Sequence, residues 1–106
     1  MKVLEWVFLD DSSRKDKRYV VVFLHNGGLH KVHFGAKQGK TYIDHQDPDI
    51  RRRWLARHSK MPIRGKLAED VWDIDPTSPS TLSRYLLWEH TDLDTAIKKY
   101  IKKFDL

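Results

Sequence analysis

Residues 33–58 carry a cluster of cationic side chains of the kind that binds phosphate. An arginine guanidinium group donates two parallel hydrogen bonds to a phosphate, and a lysine ammonium group supplies a compact charge. Backbone N–H groups in the glycine-containing stretch 35–40 would add donors to an anion. The predicted nucleic-acid-binding residues are Lys37, Lys40, Arg51, Arg52, Arg53 and Arg57. Tyr42 stands beside them in the sequence and is predicted to stack on a base.

The histidines of the same segment suggest a second kind of chemistry, phosphoester hydrolysis. His45 or His58 would serve as general base while Arg57 stabilises negative charge on the phosphate. Hydrolysis of the P-loop type is not expected, because Gly35 and Gly39 are one residue too close for that motif. No metal site or cofactor is predicted, since the chain lacks cysteine and no two of its six histidines stand four residues apart. The sequence therefore favours a binding protein over an enzyme.

Charge is unevenly distributed along the chain, whose formal net charge is +5. Residues 31–68 contain ten basic and three acidic side chains, whereas residues 69–94 contain seven acidic side chains and one basic one. Exposed ion pairs contribute little stability, so this segregation favours a negatively charged partner. The alternative is that the acidic stretch folds over the basic one and neutralises it. A separate alternative is that Asp44 and His45 pair inside the domain with Arg57 or Arg84 and tie the loop to the helices.

The size and composition of the chain predict a single domain over residues 1–106. Apolar residues make up 40% of the sequence and include four tryptophans, which argues against disorder. No apolar stretch approaches the roughly 18 residues of a membrane span, and the N-terminus lacks the charge-then-apolar order of a signal peptide. We therefore expect no membrane partner and an intracellular location.

The basic cluster needs a scaffold, and the first third of the chain predicts an antiparallel sheet. Its strands are expected at 3–9, 19–24 and 29–34, where β-branched and aromatic residues concentrate. Residues 25–28 (HNGG) favour a tight hairpin turn, and residues 10–18 form a polar linker. The expected core face consists of Tyr19, Val21, Phe23, His30, Val32 and Phe34, with Leu4, Trp6 and Phe8 from the first strand.

The residues that follow this sheet are predicted to form helices. Asp47 would cap a helix over 48–58, with a proline at its first position. Ser78 would start another over 79–88, and Thr91 would cap the last one. The apolar stripe of the last helix is expected at Leu93, Ile97, Tyr100, Ile101 and Phe104.

These elements predict an α+β domain in which a three-stranded antiparallel sheet packs against three to four C-terminal helices. The sheet would occupy residues 1–34 and a basic glycine-containing loop residues 35–46. The helical part would occupy residues 47–106, with a short helical turn at 67–72.

A series of motifs follows a specific order between residues 31 and 104. They are HFGAK at 33–37, then Tyr42, Asp44, His45 and Asp47-Pro48, the arginine-rich helix ending at Arg57-His58, Trp72, LSR at 82–84, LLW at 86–88, and a lysine-rich final helix with Phe104. This series resembles a group of small uncharacterised proteins encoded by large DNA viruses of eukaryotes and by some phages. The resemblance implies a viral context and a polar set of Lys37, Asp44, His45, Arg57, His58, Ser83 and Arg84. Such proteins carry a glycine directly after the lysine of the first motif, whereas here Gln38 precedes Gly39.

Three functional hypotheses follow. The leading one is a small, basic, non-enzymatic viral module that contacts the phosphates of DNA or RNA without sequence preference. The second is a structural component of the virion that docks on an acidic viral protein. The third is the small phosphoesterase. Each places the protein in an infected host cell or within the virion.

Overall fold

The computed structural model describes residues 3–59 and 75–106. Within those ranges the chain forms three strands and four helices: β1 (Leu4–Asp11), β2 (Lys17–His25), β3 (Gly28–Ala36), α1 (Tyr42–His45), α2 (Pro48–Ser59), α3 (Pro79–Leu86) and α4 (Leu93–Phe104). The predicted α+β architecture is confirmed. The helical turn predicted at 67–72 lies outside the described residues.

The strands form one antiparallel sheet in the order β1-β2-β3. Asn26 and Gly27 connect β2 to β3 with positive φ angles of 52° and 80°, as the tightest hairpin turns require. The predicted sharing of one face by Val21 and Val32 is confirmed, and the two residues lie opposite each other. The connection between β1 and β2 is shorter than the predicted linker, because both strands extend into it.

Strand β1 contains an irregularity that the alternation of its residues did not predict. Trp6 and Phe8 lie opposite the consecutive residues Phe23 and Val22, so Val7 is an extra residue and the strand carries a β-bulge. Because side chains alternate along a strand, the extra residue puts Phe8 on the opposite face from Trp6. The prediction that Phe8 faces the core is therefore wrong, and its side chain is 48% exposed.

The core lies between the inner face of the sheet and helices α3 and α4. Its fully buried side chains are Val21, Phe23, Phe34, Leu82, Leu86, Leu87 and Tyr100. The Trp6 ring joins the two layers, since its centroid lies 5.9 Å from the ring centroids of both Phe23 and Tyr100. None of the helices in the described ranges has the length and apolar character needed to cross a membrane.

The predicted start of α2 is confirmed, and that of α4 is displaced by one residue. The Asp47 carboxylate accepts a hydrogen bond from the backbone N–H of Asp49 at 2.9 Å, which caps α2. Asp92, not Thr91, caps α4, because its carboxylate accepts hydrogen bonds from the backbone N–H and the hydroxyl of Thr95. Two adjacent residues can cap a helix here, and the carboxylate is the stronger acceptor beside the positive end of the helix dipole.

The basic segment between sheet and helices is more structured than predicted. Strand β3 continues to Ala36 and α1 begins at Tyr42, so the loop of residues 35–46 shrinks to residues 37–41. A capping box nucleates α1: the Asp44 carboxylate accepts hydrogen bonds from the backbone N–H and the hydroxyl of Thr41, at 2.7 and 3.0 Å. Helix α1 therefore holds the residues that follow the loop, Tyr42–His45, in a defined conformation.

Candidate nucleic-acid interface

A cleft of about 560 Å³ opens between the loop of residues 37–41, helix α2 and the first turn of α3. The cations along its wall are Lys17, Lys40 and Arg57, the α3 hydroxyls are Ser80 and Ser83, and the rings are Trp54, His58 and Trp88. Asp16 is the one carboxylate among the described lining residues. A concave site of this size, in which aromatic rings and polar side chains converge, is typical of ligand pockets.

The structure places the predicted lysines of the loop in two different sites. Lys40 lines the cleft, where it joins Arg57 from the last turn of α2. Lys37 instead lines a neighbouring depression of about 320 Å³ together with Lys15. Lys17 was not among the predicted residues. The register of the hairpin puts Tyr19 opposite Phe34 and therefore Lys17 opposite Ala36, beside the loop.

Arg51 uses its guanidinium group inside the protein. Its Nε donates a hydrogen bond to the Trp88 carbonyl oxygen at 2.6 Å, and Nη2 lies 3.0 Å from the Glu89 carboxylate. Helix α3 ends at Leu86, two residues earlier than predicted, which leaves the Trp88 carbonyl outside the helix to accept this bond. Arg51 is therefore a link between α2 and the end of α3, not one of the cations of the cleft.

Glu89 also pairs with Arg84, so one carboxylate serves two arginines. Burial alone would raise the pKa of Glu89, but hydrogen bonds and charges from Arg84 and Arg51 hold the pKa below its ordinary value. Glu89 belongs to the acidic stretch 69–94, and through its pair with Arg51 this carboxylate neutralises one cation of the basic stretch 31–68. This pair engages Arg51 in contacts within the protein, whereas Arg57 lines the cleft.

The other two arginines of α2 lie on its exposed side. Arg52 pairs with Asp49, and both side chains are mostly exposed, at 77% and 67%. Arg53 Nε lies 3.4 Å from the Asp49 carbonyl oxygen. Arg53 stands four residues before Arg57, so the two share one face of the helix. Their side of α2 extends the positive surface beyond the cleft.

Asp44 has a different partner from the two that the sequence suggested. Its carboxylate oxygens lie 2.8 and 3.2 Å from the Arg18 guanidinium nitrogens, so the predicted pairing with Arg57 or Arg84 is wrong. Burial would raise the pKa of Asp44, but hydrogen bonds from Thr41 and Arg18 lower it below its ordinary value. This pair ties α1 to strand β2.

Tyr42 is half-buried in α1, not exposed in a loop. Its ring packs against the core, with the Arg51 guanidinium 5.5 Å and the His45 ring 6.2 Å from its centroid. The exposed position expected for a stacking tyrosine is therefore not found, because α1 turns this ring towards Arg51.

His45 and His58 occupy separate environments. His45 Nδ1 accepts a hydrogen bond from the Asp47 backbone N–H at 2.9 Å, and its ring lies 5.5 Å from Trp88. His45 is not among the residues that line the cleft, whereas His58 and Arg57 are. Of the two candidate general bases, only His58 shares the cleft with Arg57.

A stack of three rings forms one wall of the cleft. The centroids of His58 and Trp54 are 4.0 Å apart with 30° between the ring planes, and those of Trp54 and Trp88 are 4.7 Å apart with 10° between planes. Partial burial and the neighbouring Arg57 lower the pKa of His58 below its ordinary value. The sequence does not predict this stack, because 34 residues separate Trp54 from Trp88.

The described ranges contain no group of three or more histidine, cysteine, aspartate or glutamate side chains placed to hold a metal ion.

Residues 7–58 match a family of unknown function, DUF5754. The matched segment covers nearly all of the sheet together with α1 and most of α2, and it includes Lys17, Lys40, Arg57 and His58. This similarity agrees with the expected resemblance to an uncharacterised family. No curated protein and no solved structure shows significant similarity to the chain.

Proposed function

We propose that this protein is a non-enzymatic nucleic-acid-binding module that holds phosphate groups in the cleft with Lys17, Lys40 and Arg57. The observation that carries the proposal is the meeting of three cations from three separate elements in one concave site. Asp16 is the single carboxylate among the described residues of the wall, so the described part of the wall carries a positive balance of charge. An anion is the ligand that such a site attracts.

The charges that flank the cleft favour a polyanion over a single small anion. Lys37 lies in the same loop as Lys40, and Arg53 lies one helical turn before Arg57. All four side chains are exposed. A nucleic-acid strand presents successive phosphates, so cations on both sides of the cleft would each contact one.

The hydroxyl groups of the cleft add donors of the kind that phosphate accepts. Ser80 and Ser83 face the cleft from helix α3, across from Arg57 on α2. Serine hydroxyls and arginine guanidinium groups are common partners of backbone phosphates and carry no sequence information. We therefore expect binding that tolerates any sequence.

The test is a titration of labelled mixed-sequence DNA and RNA oligonucleotides over a series of salt concentrations. Wild-type affinity should fall steeply as salt rises, because each phosphate contact releases counterions. The double variant Lys40→Gln, Arg57→Gln should bind at least tenfold more weakly at low salt. Its log–log salt slope should be shallower by about 1.4 for a single strand, since two contacts are lost.

A double variant with the same loss of charge supplies the control. Lys31→Gln, Lys98→Gln removes two exposed lysines that do not line the cleft. Its affinity should change much less and its salt slope should stay close to that of wild type. Equal weakening by both double variants, or undetectable wild-type binding at low salt, would contradict the proposal.

The viral setting belongs to the same proposal. The motif order that resembles proteins of large DNA viruses supports a role in an infected cell or within the virion. The phosphoesterase alternative is restricted to His58 as general base, because Arg57 and His58 line the cleft together and His45 lies outside it.

A further inference from the structure

We infer that the cleft accepts an unpaired nucleotide, whose base extends the ring stack at His58 while its phosphate contacts Lys40 and Arg57. The inference rests on the proposed function and specifies its ligand as single-stranded nucleic acid. It follows from the order of the rings, the exposure of His58 and the shape of the cleft.

The order of the rings leaves one exposed end. Trp54 is covered on one side by His58 at 4.0 Å and on the other by Trp88 at 4.7 Å. Trp88 is only 7% exposed, and its surroundings include the His45 ring at 5.5 Å. His58 is the exposed ring of the three. A base that joins the stack must therefore lie on His58.

The chemistry of His58 suits a stacking surface. Partial burial against Trp54 and the adjacent Arg57 both favour the neutral imidazole. A neutral aromatic ring stacks on a base without loss of hydration of a charge. Trp54 and Trp88 support it from behind, so the ring is held in position before the ligand arrives.

The position of His58 next to Arg57 matches the structure of a nucleotide. The base and the phosphate of a nucleotide are joined through one sugar, so their partners must be close neighbours on the protein. Arg57 and His58 are consecutive residues on α2, and both line the cleft beside Lys40. One nucleotide can therefore contact the ring and the cations together.

The shape of the cleft selects against a duplex. Paired bases are stacked on each other and offer only their edges in the grooves, so they have no face for His58. The bases of a single strand are free to stack on aromatic rings, whatever their identity. The concave site of about 560 Å³ suits one extruded nucleotide better than the convex surface of a double helix.

The deciding experiment compares an ordinary oligonucleotide with an abasic one of the same length and backbone, in DNA and RNA arms. Both ligands carry the same phosphates, so only the stacking contribution differs. Wild-type protein should bind the ordinary single strand roughly tenfold more tightly than the abasic strand, and also more tightly than a duplex.

Variants of His58 test the ring itself. His58→Ala should remove the preference for the ordinary strand, whereas His58→Phe, which keeps a flat ring, should retain it. His30→Ala is the matched control, because His30 is exposed but does not line the cleft. Thermal denaturation verifies that each variant is folded. If a variant does not fold, the comparison of ordinary and abasic strands with wild-type protein still tests the inference.

The outcomes separate the two proposals. Equal, salt-dependent binding of ordinary and abasic strands would refute base stacking and leave phosphate binding in place. Loss of the preference in both His58→Ala and His58→Phe would also refute it, as would equal affinity for duplex and single strand. Undetectable binding of every ligand would refute the proposed function itself.

Discussion

Glu89 lies next to Trp88, a residue that lines the cleft, and forms ion pairs with two arginines. It pairs with Arg84, whose side chain is 14% exposed, and with Arg51. Arg51 also holds the Trp88 carbonyl oxygen, so the position of the Trp88 ring depends on this network. A half-buried carboxylate that satisfies two guanidinium groups is costly to remove, because both cations lose their partner.

We predict that Glu89→Gln lowers the free energy of unfolding by about 2 kcal/mol near neutral pH. The pKa of Glu89 is lowered by folding, so its contribution is fully present above the ordinary value of 4.5 and is lost as pH falls through the folded value. The difference between wild type and variant should therefore shrink in acid. Urea denaturation at neutral and acidic pH measures it.

The matched control is Glu5→Gln, which changes an exposed residue of β1 and should alter stability by less than about 0.5 kcal/mol. A Glu89 variant as stable as this control would show that the pairs with Arg51 and Arg84 contribute nothing.

His58 makes the stability of the folded protein depend on pH in a different range from Glu89. Its pKa is lowered from the ordinary 6.5 by partial burial and by Arg57, so the unfolded chain takes up a proton before the folded one does. Wild type should lose stability relative to His58→Gln as pH falls through the ordinary value of 6.5 and on to the lower pKa of the folded protein. Thermal melts of both proteins at several pH values record this difference.

The same comparison made in an Arg57→Gln background tests whether Arg57 helps to lower the pKa of His58. That substitution removes one of the two influences on His58, so the relative loss in acid should become smaller. A loss of the same size in that background would mean that Arg57 has no part in it.

The end of strand β3, where the chain enters the following loop, requires a glycine at position 35. Gly35 has a φ of +78°, and a β-carbon there would lie 2.9 Å from Leu87 Cδ1 and 3.3 Å from Arg18 Cβ. Leu87 lines the cleft, so the sheet and helix α3 meet at a site where only glycine fits.

Two alanine substitutions separate the close approach from the backbone conformation. Gly39 also has a positive φ, of +121°, but a β-carbon added there would have no atom within 4 Å. We expect Gly39→Ala to cost about 1 kcal/mol of unfolding free energy and Gly35→Ala about 3 kcal/mol, because only the latter collides with the Leu87 side chain. Chemical denaturation measures both costs, and a cost of about 1 kcal/mol or less for Gly35→Ala would contradict the steric explanation.

The elements that were predictable from sequence are those with one dominant local signal. The hairpin at Asn26-Gly27 combines a turn that needs positive φ with clear alternation on both sides, which fixes the register. The bulge in β1 has no such signal, because Val7 and Phe8 are both apolar and either could face the core. Helix α1 is too short for a periodic pattern, and only its capping box marks it.

The candidate site was predictable in its charges but not in its contacts. The concentration of lysine and arginine in residues 31–68 is visible in the sequence. That Arg51 is held by a residue 38 positions away, while Arg57 lines the cleft, depends on how α2 packs on the end of α3. The same packing creates the ring stack, for which neither tryptophan carries a local signal.

Tyr100 connects the layers of the whole molecule. Its side chain is 1% exposed, its hydroxyl donates a hydrogen bond to the Pro76 carbonyl oxygen, and its ring packs against Trp6 on β1 and Phe104 on α4. Burial raises the pKa of the Tyr100 hydroxyl well above its usual range, so the group remains a donor. Sheet, final helix and the chain before α3 therefore meet at one side chain.

Substitutions at Tyr100 should distinguish its ring from its hydroxyl. Tyr100→Phe loses one hydrogen bond and should cost about 1 kcal/mol, whereas Tyr100→Ala leaves a cavity and should cost about 4 kcal/mol. The measurement is equilibrium denaturation followed by far-ultraviolet circular dichroism. Similar costs for the two variants would contradict a central packing role for the ring.

The stack of His58, Trp54 and Trp88 also gives the cleft its own optical signal. Two indole rings with centroids 4.7 Å apart and planes 10° from parallel couple their electronic transitions, and an imidazole beside an indole alters its emission. A base added to this stack contacts His58 directly and should change the fluorescence of Trp54 behind it. An anion bound at Arg57 would act on the stack only through the charge beside His58, so the two ligands should give signals of different size. The unlabelled protein thus carries a reporter for occupancy of the cleft.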